Sequence, residues 1–240
     1  MKMQQFTMTA LSFLCFGALS AQSQTQSQTP PPNAPPPPGY GYYLPEGAGP
    51  YLRAGIGPSF WQDGNINNFG GPTSGKIEFR PGLAADAAIG YAFNNYIATD
   101  FEVGFVGAKM RDNIPGFSSD NSYLYNVPFL ANVTLSAPIP HTNIIPYIGG
   151  GAGGADVVFD TDGFTDGSTV VVGREDDVVW AWQAFAGLKF QLTRNIFIGV
   201  GYKYFATEDS SFSYPPAPNF PVGFDGVQTH SVLATFELKF

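Results

Sequence analysis

Ile97-Ala98-Thr99-Asp100-Phe101-Glu102-Val103-Gly104-Phe105 decides the fold. Ile97, Thr99, Phe101, Val103 and Phe105 fall on one side of an extended chain, and Ala98, Asp100, Glu102 and Gly104 on the other. A period of two is the mark of a strand with one apolar and one polar face. Working outward, the same alternation predicts eight strands over 50–59, 80–93, 97–110, 122–136, 144–157, 178–192, 196–206 and 229–240. The fourth sets Tyr123, Tyr125, Val127, Phe129, Ala131, Val133 and Leu135 against Asn126, Asn132 and Thr134. The sixth sets Trp180, Trp182, Leu188 and Phe190 against Gln183, Lys189 and Gln191. The last sets Val232, Ala234, Phe236, Leu238 and Phe240 against Ser231, Thr235, Glu237 and Lys239.

A soluble sandwich alternates too, so the connections matter. Asn94-Asn95-Tyr96 and Thr193-Arg194-Asn195 read as tight turns. If Phe93 is to face Ile97, and Leu192 to face Ile196, each loop must hold three residues. The other connections, 60–79, 111–121, 158–177 and 207–228, are long and polar. Short turns at one end and long loops at the other predict an all-β, eight-stranded, antiparallel, up-and-down transmembrane barrel, apolar outside and polar inside. Aromatic side chains gather at both strand ends: Tyr123, Tyr125, Trp180, Trp182, Tyr202 and Tyr204 at the loop end; Tyr91, Phe93, Tyr147, Phe190 and Phe240 at the turn end. Amphipathic rings favour the headgroup level of a bilayer.

Composition agrees. Charged residues are 12% of the chain, about half the usual share in a soluble domain, while hydrophobic residues are 44%. No apolar run reaches the roughly 20 residues that a spanning helix needs. The net charge of -8 offers no basic stripe for nucleic acid.

The N-terminus carries export features. Lys2 is a positive n-region, Met8 to Leu19 a short apolar run, and small residues follow at Ala18-Leu19-Ser20 and Ala21-Gln22-Ser23. Leu14 before Cys15 is too large for a lipoprotein signal, and Cys15 is the sole cysteine, so the mature chain is expected to be free of thiols. The expected organisation is a signal over 1–23, a Gln/Ser- and Pro-rich periplasmic linker over 24–48, and a barrel over 49–240. Proline fixes φ and removes a donor, so Pro30–Pro38 cannot join a sheet and favours an extended spacer.

Pro81-Gly82, Gly90-Tyr91 before a hairpin, Val127-Pro128-Phe129-Leu130-Ala131-Asn132-Val133 and Pro146-Tyr147-Ile148-Gly149-Gly150-Gly151 resemble the small barrels of the OmpA-like and porin-like outer-membrane families. Phe240, with Leu238 and Phe236 alternating behind it, resembles the signal read by the outer-membrane assembly machinery. The resemblance covers Pro50–Phe240 and includes no peptidoglycan-binding domain. It implies a bacterial outer-membrane location and contact with membrane lipid, and the even strand count is expected to put both termini in the periplasm. Such families include anchors, adhesins and small pores, and no extracellular partner is implied.

Eight charges are expected to face the lumen: Arg53, Lys189, Lys203 and Lys239, against Asp86, Asp100, Glu102 and Glu237. Four of each sign predict a neutral hydrogen-bonded network in a narrow barrel. The alternative is that this network gates a small ion path. Glycines 149, 150, 151, 153 and 154 are expected to ease curvature and admit larger neighbours, a small cavity being the other reading; Pro128 is expected to mark a bulge. Asp160, Asp162 and Asp166 begin like a calcium loop, whose closing acid is not at the usual spacing, though Glu175, Asp176 and Asp177 could fold back to close it; the other reading is an acidic solvated loop. His230 and Ser231 point to opposite faces, and His141 lies in a turn, so no hydrolytic pair forms. No cofactor is expected. The aromatic 210–228 segment is read either as a partner surface or as a lid. The favoured function is a non-enzymatic structural or surface-interaction barrel, the alternative a narrow channel for ions or small solutes.

Overall fold

A computed structural model describes residues 48–69, 72–111, 113–114, 117–214 and 220–240. The expected export signal with Cys15, and the expected linker apart from Ala48, lie outside them. The described residues form β1 (Gly49–Trp61), β2 (Gly64–Phe69), β3 (Pro72–Ile77), β4 (Gly82–Ala92), β5 (Ile97–Lys109), β6 (Asn113–Ile114), β7 (Phe117–Asp120), β8 (Tyr123–Ser136), β9 (Ile144–Thr165), β10 (Val170–Gln191), β11 (Ile196–Thr207), β12 (Ser210–Tyr214), β13 (Phe220–Phe224) and β14 (Gln228–Lys239).

Eight of these close a ring, β1-β4-β5-β8-β9-β10-β11-β14, each antiparallel to its neighbours, with β14 returning to β1. The ring is the expected barrel. Closure leaves these strands no free edge within the ring. The two short turns have the parity that the sequence demanded. Phe93 N–H donates to Ile97 O and Leu192 N–H to Ile196 O, both at 2.9 Å. Asn94 Oδ1 accepts from the amides of Tyr96 and Ile97, and Thr193 Oγ1 from those of Asn195 and Ile196, which satisfies the turns locally.

The outer face is a belt of exposed apolar side chains, among them Leu52, Ile89, Phe101, Val133, Ile198 and Phe236. Trp180, Trp182, Tyr123 and Tyr202 border it at the loop end, and Tyr91, Phe93, Phe190 and Phe240 at the turn end. Tyr147 departs from the expected girdle. Its ladder partner is Gly187, and its ring packs inside the barrel 6.3 Å from that of Phe185. The glycine run that follows Tyr147 gave no alternation from which to read its face.

The long connections differ from expectation. β9 and β10 each run 22 residues, roughly twice what a bilayer crossing takes. Most of 158–177, expected as a loop, is therefore a protruding hairpin, held by β-branched and aromatic residues at Val157, Val158, Phe159, Val170 and Val171. It turns at Gly167 (φ 90°), and Gly173 (φ 121°) absorbs a register shift, conformations that favour glycine. The 60–79 and 207–228 connections are not plain loops either. They supply a second, four-stranded sheet in the order β12-β13-β2-β3. Within 111–121, β7 pairs with the far end of β9.

Pro128 does not mark a bulge. The β8–β9 register runs unbroken through Val127↔Asp156, Pro128↔Ala155 and Phe129↔Gly154. On its β5 side stands Gly104, whose missing side chain leaves room for the proline ring; a Cβ there would lie 3.0 Å from Pro128 Cγ. Room opposite the ring removes the need for an extra residue.

Candidate functional site

The lumen holds the candidate site. Parity turns Arg53 (β1), Asp86 (β4), Asp100 and Glu102 (β5), Lys189 (β10), Lys203 (β11), and Glu237 and Lys239 (β14) inward, and the register sets them at neighbouring levels. Lys203 Nζ donates to Asp86 Oδ2 at 2.5 Å and Glu102 Oε1 at 2.6 Å. Arg53 donates to Glu102 Oε2 at 2.9 Å, with longer contacts to Asp86 at 3.4 Å and Asp100 at 3.5 Å. Neutral groups complete the network. Tyr51 OH donates to Asp100 at 2.7 Å, Asn132 Nδ2 to Asp100 at 2.7 Å and Glu102 at 3.2 Å, and Gln183 Nε2 to Asn132 Oδ1 at 2.8 Å. Nearer the turn end, Lys189 pairs with Glu237 at 2.6 Å, and Lys239 is buried beside its ladder partner Tyr51. A cavity of about 20 Å³ lies among Arg53, Tyr147, Lys189, Lys203, Thr235 and Glu237, room for a water molecule.

The glycines of β9 make space for these neighbours. A Cβ at Gly149 would strike the Phe185 ring, and one at Gly151 would strike Asn132 Oδ1. The space is filled by Phe185 and Asn132 rather than left as a void.

On the loop side of the network the lumen turns apolar. On β5 Val106 follows Glu102; on β8 Leu130 precedes Asn132; on β11 Phe205 follows Lys203; on β14 Leu233 precedes Thr235 and Glu237. Given the strand directions, each apolar residue lies nearer the loop end than its polar companion. Leu130 packs with Ala155, Ala181 and Phe205, and Val106 with Ala84 and Leu233. Sequence reading missed this layer, together with Tyr51 and Trp61. Its members break the polar-inside rule, and they form two separate clusters, one around Leu130 and Phe205 and one around Val106 and Leu233.

At the loop end the four-stranded sheet folds onto the protruding hairpin. Phe159 is the hub, its ring centroid 5.0 Å from that of Phe224, 5.6 Å from Phe164, 5.9 Å from Tyr214 and 6.1 Å from Phe212. Ile66, Ile77, Met110, Leu124, Val157 and Val222 join the same buried cluster. Tyr214 OH donates to Phe159 O at 2.8 Å, and burial pushes its phenol pKa up. The described parts of the aromatic 210–228 segment, β12 and β13 with Val227, thus belong to a lid with its own core.

The calcium candidates do not converge. Asp160 stands opposite Arg174 in the β9–β10 ladder, Asp162 accepts from Asn121 Nδ2 at 3.3 Å, and Asp166 caps the hairpin tip. Across the hairpin, Asp177 accepts from the Ser211 amide. Burial and the neighbouring Asp176 raise the Glu175 carboxyl. Among the described residues no three His, Cys, Asp or Glu side chains gather as a metal site. His230 faces outward at the loop end, between Gln62 Nε2 at 2.7 Å and Tyr202 OH, while Ser231 is buried inside. His141 sits in the Pro140–Asn143 turn with φ 61°.

A closed antiparallel ring with an apolar belt, aromatic borders and a polar interior defines a membrane β-barrel. The chain belongs to the outer membrane protein beta-barrel domain family, whose family model matches residues 11–240. Among solved structures it is similar to the outer membrane protein OprG from Pseudomonas aeruginosa, at 13% identity and TM-score 0.52, over 80% of this chain and 97% of that one. It is also similar to Neisserial surface protein A, at 18% identity and TM-score 0.48, over 81% of this chain and 100% of that one. No curated protein sequence matches the chain. It is an outer-membrane barrel protein, with its apolar belt in the membrane lipid.

Proposed function

We propose that this protein is a non-enzymatic, closed scaffold whose work is done at its loop end, as a structural or surface-interaction barrel. In this reading residues 1–23 direct export, 24–48 form a periplasmic spacer, and the assembly machinery reads Phe236, Leu238 and Phe240. Both termini then lie in the periplasm, and the protruding hairpin with its lid faces outward. The observation that carries the reading is the filled lumen: Glu102 is 1% exposed within the ion network, and Leu130 and Phe205 are 0% and 1% exposed just above it. A lid with a core of its own also supports a role at that end, because a mere plug needs no separate sheet. The test is potassium efflux from vesicles carrying the refolded full chain, a heat-shift gel having confirmed the barrel. Efflux no faster than from empty vesicles is expected. Rapid efflux would favour a narrow channel, the second reading, for which the water-sized cavity among Arg53, Lys189 and Lys203 speaks.

A further inference from the structure

We infer that a groove in the lipid-facing belt, on β4, β5 and β8 near the turn end, seats one acyl chain of a membrane phospholipid. The choice of a phospholipid rests on the orientation given above, with the turn end toward the periplasm.

The groove has a volume of about 510 Å³, within the range of small-molecule sites. Two rungs of the sheet build it. Tyr91, Thr99 and Val133 are ladder partners in the first, and Ile89, Phe101 and Ala131 in the second. Parity turns all six outward. Ile89, Tyr91, Phe101 and Val133 are large and exposed, and stand as walls. Thr99 and Ala131 are short, and leave the hollow between them. The strand positions between the two rungs, Gly90, Asp100 and Asn132, complete the lining. Asp100 and Asn132 turn their side chains into the lumen, where they hydrogen-bond to each other, so neither brings a polar head to the groove.

What fills such a groove follows from where it lies. In water, an apolar hollow of this size would call for a protein partner. Here it is continuous with the belt that the membrane covers, so the medium that meets it is acyl chain. A chain lying over a flat part of the belt touches protein on one side. A chain lying in the groove is flanked by Ile89, Tyr91, Phe101 and Val133 as well, and gains their dispersion contacts. That difference separates a site from the bulk lipid around it.

The groove also has a polar end. Tyr91 belongs to the turn-end girdle, so the first rung lies at the headgroup level. On the outward face of β5, Thr99 brings a hydroxyl among Ile97, Phe101, Val103 and Phe105. A hydroxyl facing hydrocarbon without a partner costs free energy. At the headgroup level it can donate to the ester oxygens from which a phospholipid chain starts. The chain then runs over the second rung into the hydrocarbon.

The test is native mass spectrometry of the full chain, extracted from its outer membrane in mild detergent, after a heat-shift gel shows a folded barrel. The unaltered barrel should carry one phospholipid. Ala131→Phe, which fills the hollow, should lower the fraction of chains that retain it at least fivefold, and Thr99→Val at least twofold. Ala184→Phe, the same change on the outward face of β10 and away from the groove, should leave that fraction within twofold. If Ala131→Phe does not fold, Ala131→Leu takes its place, with the same expectation. No retained phospholipid on the unaltered chain would overturn the inference. So would unchanged retention in folded Ala131→Phe or Thr99→Val, or an equal loss in Ala184→Phe, since the lipid would then be bulk lipid of the belt. A lipid-free dimer of the unaltered chain that Ala131→Phe splits would put a second copy in the groove, and overturn it too. A lipopolysaccharide, retained in place of phospholipid and lost in Ala131→Phe, would instead overturn the orientation, because the turn end would lie in the other leaflet.

Discussion

Replacing Lys203 by Met tests the lumen network where its charge balance is most fragile. Arg53 and Lys203 face three carboxylates, Asp86, Asp100 and Glu102, so the central cluster already carries one excess negative charge. Lys203→Met raises that excess to two. It also leaves Asp86 with only the long 3.4 Å contact to Arg53 among its ion pairs. Removing one partner of a buried pair typically destabilises by about 3–5 kcal/mol, because the other charge stays buried and uncompensated. Glu102→Gln acts in the opposite sense. It removes the excess charge and keeps a side chain of the same shape, so the loss is about 1–3 kcal/mol, that of weakened hydrogen bonds to Lys203, Arg53 and Asn132. The order of the two substitutions is thus a sharper prediction than either value. Urea unfolding of the refolded barrel in vesicles, followed by tryptophan fluorescence, measures both. A Lys203→Met loss below about 1 kcal/mol, or one smaller than that of Glu102→Gln, would refute the charge argument.

Three further outcomes are expected. Gly153→Ala should destabilise the barrel by about 1–3 kcal/mol, because the new Cβ meets the Phe129 carbonyl oxygen, which is backbone and cannot swing aside, whereas Gly154→Ala, with its nearest atom at 3.7 Å, should be neutral in the same unfolding assay. Phe159→Ala should remove about 3–5 kcal/mol from the lid core and open Gly64–Phe69 and Phe220–Phe224 to protease, while the heat-shift gel still reports a folded barrel. At the hairpin tip the Thr169 amide, followed by the Ser168 hydroxyl and amide, holds the Asp166 carboxyl below the usual carboxylate range. Its support of the tip is therefore complete above that range and fades as pH falls through the lowered value; the protection factors of the Ser168 and Thr169 amides, corrected for the intrinsic exchange rate at each pH, should fall on acidification in the native protein and show no such step in Asp166→Asn.

The parts of this fold legible in the sequence are those where one face meets lipid and the other meets charge. β5 is the clearest: four apolar side chains and Thr99 alternate with Asp100 and Glu102, and the barrel register then follows from the parity of two three-residue turns. On the polar faces of these strands Asp86, Asp100, Glu102, Lys203, Glu237 and Lys239 are buried. Legibility failed where the chemistry of the two faces converged. Tyr147 precedes a run of glycines, so nothing marked its side, and it turned inward. The protruding halves of β9 and β10 mix acids with valines, because one face meets solvent and the other the lid, and the acids suggested a loop. The lid itself joins segments some 150 residues apart, such as Ile66 with Phe224, which no local pattern connects. The cluster of Leu130 and Phe205 was hidden for a related reason: both are apolar residues on polar faces, and they meet across β9 and β10, which no local pattern shows.

The central claim, a barrel closed across its lumen, is tested most directly by single-channel recording of the unaltered, full-length protein in a planar bilayer, with folding verified in the same preparation. The account predicts a silent membrane at potentials that leave the bilayer intact. Discrete, reproducible openings from folded protein would contradict it.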